Sequence, residues 1–153
     1  MPVSHLNKLS LQLEQLGTGL TEFKDLLVQE TSFLSNNDIS SLNQITLKKQ
    51  SLADNLEDQI TTIQQIYPIN FADLDNPELD NLPPEQRFQI NKIANLSNQC
   101  FHLNRKNGMI IAALTSLNTE LLNQLSPEES KVNLYGASGK TKKPDTKKTL
   151  GTA

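Results

Sequence analysis

From Leu6 the apolar positions of the chain run Leu6, Leu9, Leu13, Leu16, Leu20, Phe23, Leu27 and then Leu34, at spacings that alternate between three and four residues. That alternation is the seam of a coiled-coil-like helix. Glu30 takes one seam position. Gly17 and Gly19 lie inside the run, each at a cost of about 1 kcal/mol relative to Ala, and they mark a bend or a close helix approach. The period survives them, so one helix is predicted over about 4–35.

The stretch SNNDISSL, residues 35–42, interrupts the pattern, and Asn37 or Asp38 can cap a new helix by accepting from its first free N–H groups. A second seam follows at Leu42, Ile45, Lys49, Leu52, Leu56, Ile60, Ile63 and Ile66, and Tyr67-Pro68 ends it, giving a helix over about 38–67. Folding the chain at residues 36–38 sets Leu34 against Leu42, Leu27 against Lys49, Phe23 against Leu52, Leu20 against Leu56 and Leu13 against Ile63. Two seams in register about a short turn predict an antiparallel helical hairpin.

Residues 68–84 contain several prolines and an acidic cluster (Asp73, Asp75, Glu78, Asp80), together with Ile69, Phe71, Leu74, Leu79 and Leu82. The apolar residues predict a loop lying over the bundle. A calcium loop is the competing reading, but it lacks the EF-hand spacing with its central Gly and terminal Glu. After Pro83-Pro84-Glu85, a good helix start, the third seam reads Leu96, Cys100, Leu103, Asn107, Ile110, Leu114, Leu117, Leu121, with Leu122 and Leu125 beside it. Within it NRKNG resembles a hairpin turn, since Asn-Gly tolerates positive φ. One heptad separates Leu103 from Ile110, so the phase passes through undisturbed and the segment belongs to one helix over about 85–125. At 1.5 Å per residue that helix is roughly 60 Å long against roughly 45 Å for each hairpin arm. Part of its stripe, from Ile110 to Leu125, is therefore expected either to serve a partner helix or to be covered by the loop or tail.

The fold class expected is all-α: a hairpin packed with one long C-terminal helix as a three-helix bundle over 1–126, then a flexible basic tail over 127–153. Charge sharpens this division. Residues 131–153 carry six lysines against Asp145, a net +5, whereas residues 1–130 carry −8. The tail is poor in apolar residues and is expected to be disordered in isolation. Its one aromatic, Tyr135 in NLYGASG, is a candidate linear motif.

Chemistry is scarce. His5 and His102 are the two histidines, and the chain shows no phosphate loop, no Cys/His metal spacing, no nucleophile motif and no Glu-x-x-His pair. No enzyme activity, metal or cofactor is expected. The acidic body argues against a duplex nucleic-acid contact. The lone Cys100 reads as a small buried apolar residue in a reducing compartment. The N-terminus has no basic region followed by an apolar stretch, and the longest apolar run, Met109 to Leu114, is far shorter than the roughly 18 residues of a span. A cytoplasmic protein without stable membrane insertion is expected.

Three polar residues occupy seam positions: Glu30, Lys49 and Asn107. In the mirrored hairpin Lys49 lies one helical turn from Glu30, so an ion pair that fixes register is available to them. Asn104, Asn107 and Gly108 share one helix face. Register-setting inside the bundle and direct contact with a partner are the two readings of Asn107.

Several of these features together resemble the FlgN family of flagellar type III export chaperones. They are Glu30, Leu34, Asp38, Leu42, Ile45, Lys49 and Leu52 in the order E-x3-L-x3-D-x3-L-x2-I-x3-K-x2-L; N-x2-N-G at Asn104 to Gly108 with Ile110-Ile111 following; and YGASG from Tyr135. The resemblance covers almost the whole chain up to Gly139. It implies a chaperone that works without ATP and holds the hook-associated (hook-filament junction) proteins before delivering them to the flagellar export gate. It also implies a client surface at Ile110, Leu114, Leu117, Leu121 and Leu125 with Asn107 at its margin, and a gate contact at Tyr135. A structural coiled-coil adaptor that self-associates through its C-terminal helix is the alternative.

Overall fold

The computed structural model describes residues 1–125; residues 126–153, Tyr135 and the lysine tail among them, lie outside the described part. Three α-helices follow in order: α1 (Val3–Ser35), α2 (Ile39–Ile66) and α3 (Pro84–Leu125), with a single 3-10 turn at Pro77–Asn81 before α3. No strand occurs among the described residues. Met1–Asn107 forms one compact unit, and the described residues from Gly108 to Leu125 belong to a second.

Local chemistry explains each boundary. The α1–α2 turn is closed by Asn37 at φ 53°, a left-handed conformation that Asn tolerates because its short polar side chain adapts to it. Asp38 then caps α2, its carboxylate accepting from the Ser41 N–H at 3.1 Å and from the Ser41 hydroxyl at 2.6 Å. These bonds hold the Asp38 carboxyl below the usual carboxylate range. Tyr67, before Pro68, is extended (φ −149°), which ends α2. The loop after it is clasped by the Tyr67 hydroxyl donating to the Glu78 carbonyl at 2.6 Å and by Gln64 Nε2 donating to the Ile69 carbonyl at 3.2 Å.

Within Met1–Asn107 the core is a layer of leucine and isoleucine. Leu9, Leu13, Leu16 and Leu20 of α1 meet Leu56 and Ile63 of α2 and Ile90 and Ile93 of α3, and Ile69, Leu79 and Leu82 of the loop join the same cluster. The apolar loop residues thus explain why a proline-rich segment stays on the bundle. Each buried side chain of this size contributes about 1.5–3 kcal/mol relative to exposure. Ile90 and Ile93 extend the α3 seam N-terminal to Leu96, where the sequence pattern is masked by Gln and Asn neighbours. Close approach of α1 and α2 occurs at one of the two glycines only: a Cβ on Gly19 would stand 2.8 Å from Leu56 Cδ2, while Gly17 has nothing within 4 Å.

Candidate functional site

A polar layer crosses the upper part of the first unit, above the leucine core. Glu30 projects from α1 with its side chain 3% exposed. Lys49 of α2 reaches it and donates to Oε1 at 3.1 Å and to Oε2 at 2.9 Å. From α3, Asn107 donates through Nδ2 to the same Oε1 at 2.9 Å and to the Leu27 carbonyl at 2.9 Å. Its Oδ1 lies 2.7 Å from the Thr31 hydroxyl, which also stands 3.0 Å from the Leu27 carbonyl and can donate to one of the two. Asn104, a turn earlier on α3, accepts from Lys49 at 3.0 Å.

Each member of this layer answers the cost of burying another. A carboxylate moved out of water loses several kcal/mol of solvation, which attraction and hydrogen bonding must offset. Lys49 supplies the charge and Asn107 a further donor, so both Glu30 oxygens are satisfied. Such a layer adds little net stability, but it tolerates few alternatives. Sliding any helix by one turn would strand a buried charge or amide. Asn107 itself is 0% exposed, both its Nδ2 hydrogens are used and its Oδ1 faces the Thr31 hydroxyl. Its side-chain contacts in this conformation all run to α1, which favours the register-setting reading over direct contact with a partner.

Gly108, on the sequence-expected face of Asn104 and Asn107, has nothing within 4 Å of an added Cβ, so no close approach explains it. Thr31 and the Leu27 carbonyl are the members that sequence reasoning missed. The mirror symmetry of the hairpin places α1 against α2 and carries no information on where α3 lies.

Cys100 is buried 80 residues from the carbonyl it touches, with Sγ 3.6 Å from the Leu20 oxygen. Burial pushes its thiol pKa up, nearby Lys24 opposing, and the side chain packs in the interior as a small apolar residue does. Gln86, also buried, donates to Ser10 Oγ at 2.7 Å and ties the start of α3 to α1.

In the second unit, the described residues Gly108–Leu125 are helical throughout. Leu117 is 54% exposed, Leu121 46% and Leu125 80%, and Met109 and Leu122 are exposed as well. Ile110 and Leu114 are half-buried. Spacings of four and three residues keep Ile110, Leu114, Leu117, Leu121 and Leu125 on one stripe of the helix. No acidic or basic residue sits on that stripe. Such a run of apolar side chains in water is the surface chemistry of a docking face for another helix.

A family model described as FlgN protein matches residues 1–143, which takes in all three helices. The chain belongs to the FlgN family. FlgN proteins are flagellar export chaperones and not a family of enzymes, so a role as a chaperone for flagellar export substrates applies to this chain. No curated protein and no solved structure matches it. Among the described residues no helix is long and apolar enough to cross a membrane, and no group of three or more His, Cys, Asp or Glu could hold a metal ion.

Proposed function

We propose that this FlgN protein captures the helical terminal segments of hook-associated proteins on the stripe formed by Ile110, Leu114, Leu117, Leu121 and Leu125, and delivers them from the cytoplasm to the flagellar export gate. The observation that carries the reading is the exposure of Leu117, Leu121 and Leu125 on one uncharged helix face. An amphipathic client helix would cover these leucines, and at about 25 cal/mol per Å² their burial supplies several kcal/mol, less the cost of ordering the client. That balance suits holding with release rather than permanent assembly. Tyr135 is assigned to the gate contact, because it is the one aromatic of the tail and lies in YGASG, one of the segments through which the sequence resembles the family.

Glu30, Lys49 and Asn107 have a different task in this reading: they hold the three helices of Met1–Asn107 in one register and take no part in client contact. Self-association through the same stripe is the second reading, since exposed leucines can serve a second copy equally well. Sedimentation equilibrium over a wide concentration range, with and without a client segment, separates the two. Capture predicts a chain that is monomeric alone and forms a defined complex with client. A concentration-independent homodimer whose leucine stripe is protected without client would establish the adaptor reading instead.

A further inference from the structure

Asn107 is followed by Gly108, and this is the one Asn-Gly pair in the sequence. Asn-Gly is the dipeptide most prone to cyclise, because glycine has no side chain to hinder its own nitrogen and lets the backbone reach the required angles. Asn is a thermolabile residue for this reason among others. The fold places this reactive pair where the reaction cannot begin. Asn107 is 0% exposed, its amide donates to the Leu27 carbonyl and Glu30 Oε1, and both residues of the pair are helical. In an α-helix the Gly108 N–H is committed to the carbonyl a turn earlier, and the rigid backbone keeps its nitrogen away from the Asn107 amide carbon.

We infer that Asn107 is a deamidation site guarded by the polar layer, and that its conversion, which proceeds only from an opened state, irreversibly disables that layer. In the opened chain the Gly108 nitrogen attacks Cγ of Asn107 and gives up its proton to a base in solvent. The Cγ–Nδ2 bond breaks, the departing nitrogen takes a proton from solvent and leaves as ammonia, and a five-membered imide forms. Water then adds to either imide carbonyl and the ring C–N bond at that carbonyl breaks, which yields isoaspartate or aspartate.

Neither product can rebuild the contacts of Asn107. The two donors that met Leu27 O and Glu30 Oε1 are replaced by acceptors, and a second carboxylate stands beside Glu30, which among the described residues has Lys49 as its cation in hydrogen-bond contact. Isoaspartate also adds a backbone carbon, which breaks the helical repeat. A chain that stays open too long is thereby marked and cannot return to register. This chemistry is independent of client capture, since it uses the Asn107-Gly108 backbone and needs no partner.

The test uses the full chain, incubated at mildly alkaline pH in native buffer and, in parallel, in urea sufficient to unfold it, with peptide mass spectrometry and enzymatic isoaspartate assay at position 107. Conversion in urea is expected to exceed that in native buffer by at least ~10-fold, the ratio set by how rarely the native layer opens. Gly108→Ala, whose added Cβ meets nothing within 4 Å, is expected to fold as the parent and to lose most of the conversion in urea. Asn107→Asp is expected to lower the thermal midpoint or to fail to fold; either result agrees with a disabled layer. Equal conversion rates in native buffer and in urea, no conversion at position 107 in urea, or an Asn107→Asp chain as stable as the parent would each overturn the inference.

Discussion

Residues 84–107 and residues 108–125 of α3 carry the same three-four apolar period, yet they use it in opposite ways. In the first stretch Ile90, Ile93, Cys100 and Asn107 are buried, and Leu96 packs against the core. In the second, Leu117, Leu121 and Leu125 remain in water. Heptad periodicity thus fixes which face of a helix is apolar and leaves open what covers it. For this FlgN protein the covered stretch keeps the fold, and the uncovered stretch is the surface proposed for client capture.

The same charge placed in each stretch should have opposite consequences. Ile93→Asp buries an unpaired carboxylate in the core and is expected to cost more than about 4 kcal/mol, visible as loss of cooperative unfolding in a urea titration. Leu121→Asp adds a charge to a half-solvated site and is expected to change stability by less than about 0.5 kcal/mol while abolishing client capture, as is Leu114→Asp with a somewhat larger stability effect. Retained binding in both leucine variants would remove the stripe from the account.

A smaller effect tests the polar layer that closes the first unit. Lys49→Met leaves Glu30 buried with Asn107 as its one remaining side-chain partner among the described residues, and a loss of about 3 kcal/mol is expected from chemical denaturation. A variant as stable as the parent would mean that the pair does not constrain the helices. Glycine positions give a finer contrast. Gly19→Ala forces a Cβ to within 2.8 Å of Leu56 Cδ2 and should destabilise by about 1–3 kcal/mol less the helix-propensity gain, whereas Gly108→Ala enters open space and should stabilise by up to about 1 kcal/mol.

The smallest effect belongs to the Asp38 cap. Its carboxyl pKa is lowered in the folded chain, first by the Ser41 hydroxyl and then by the Ser41 N–H. A depressed folded value means that the cap contributes fully above the unfolded aspartate pKa and loses its contribution as pH falls through the folded value. The stability difference between the parent and Asp38→Asn should therefore be largest near neutral pH and shrink in acid, as followed by urea midpoints across the acid range. A difference that grows on acidification would contradict this sign.

How far these features can be read from the chain depends on whether one helix or three are involved. The hairpin is legible because its two seams mirror each other about Asn37 and Asp38, and the Asp38 cap is a local side-chain to backbone bond. The passage of the helical phase through Asn107-Gly108 is legible for the same reason, since a heptad separates Leu103 from Ile110. Thr31 and the Leu27 carbonyl are hidden. Their role depends on the axial placement of α3 against α1, a separation of 76 to 80 residues that no local pattern encodes. The burial of Asn107 falls in the same class: its face is readable, its partners are not. At Pro77–Asn81 the 3-10 turn is set by the Asn76 side chain accepting from the Glu78 N–H at 3.0 Å, a small contact easily overlooked in a segment dominated by proline.

The most direct test is calorimetric titration of the full chain with the terminal helical segments of hook-associated proteins from the same organism, at two salt concentrations. Capture on the leucine stripe predicts one-site binding of about micromolar strength or tighter, with a negative heat-capacity change and little dependence on salt, as apolar burial requires. No binding, or binding that weakens steeply as salt rises, would contradict capture on the leucine stripe.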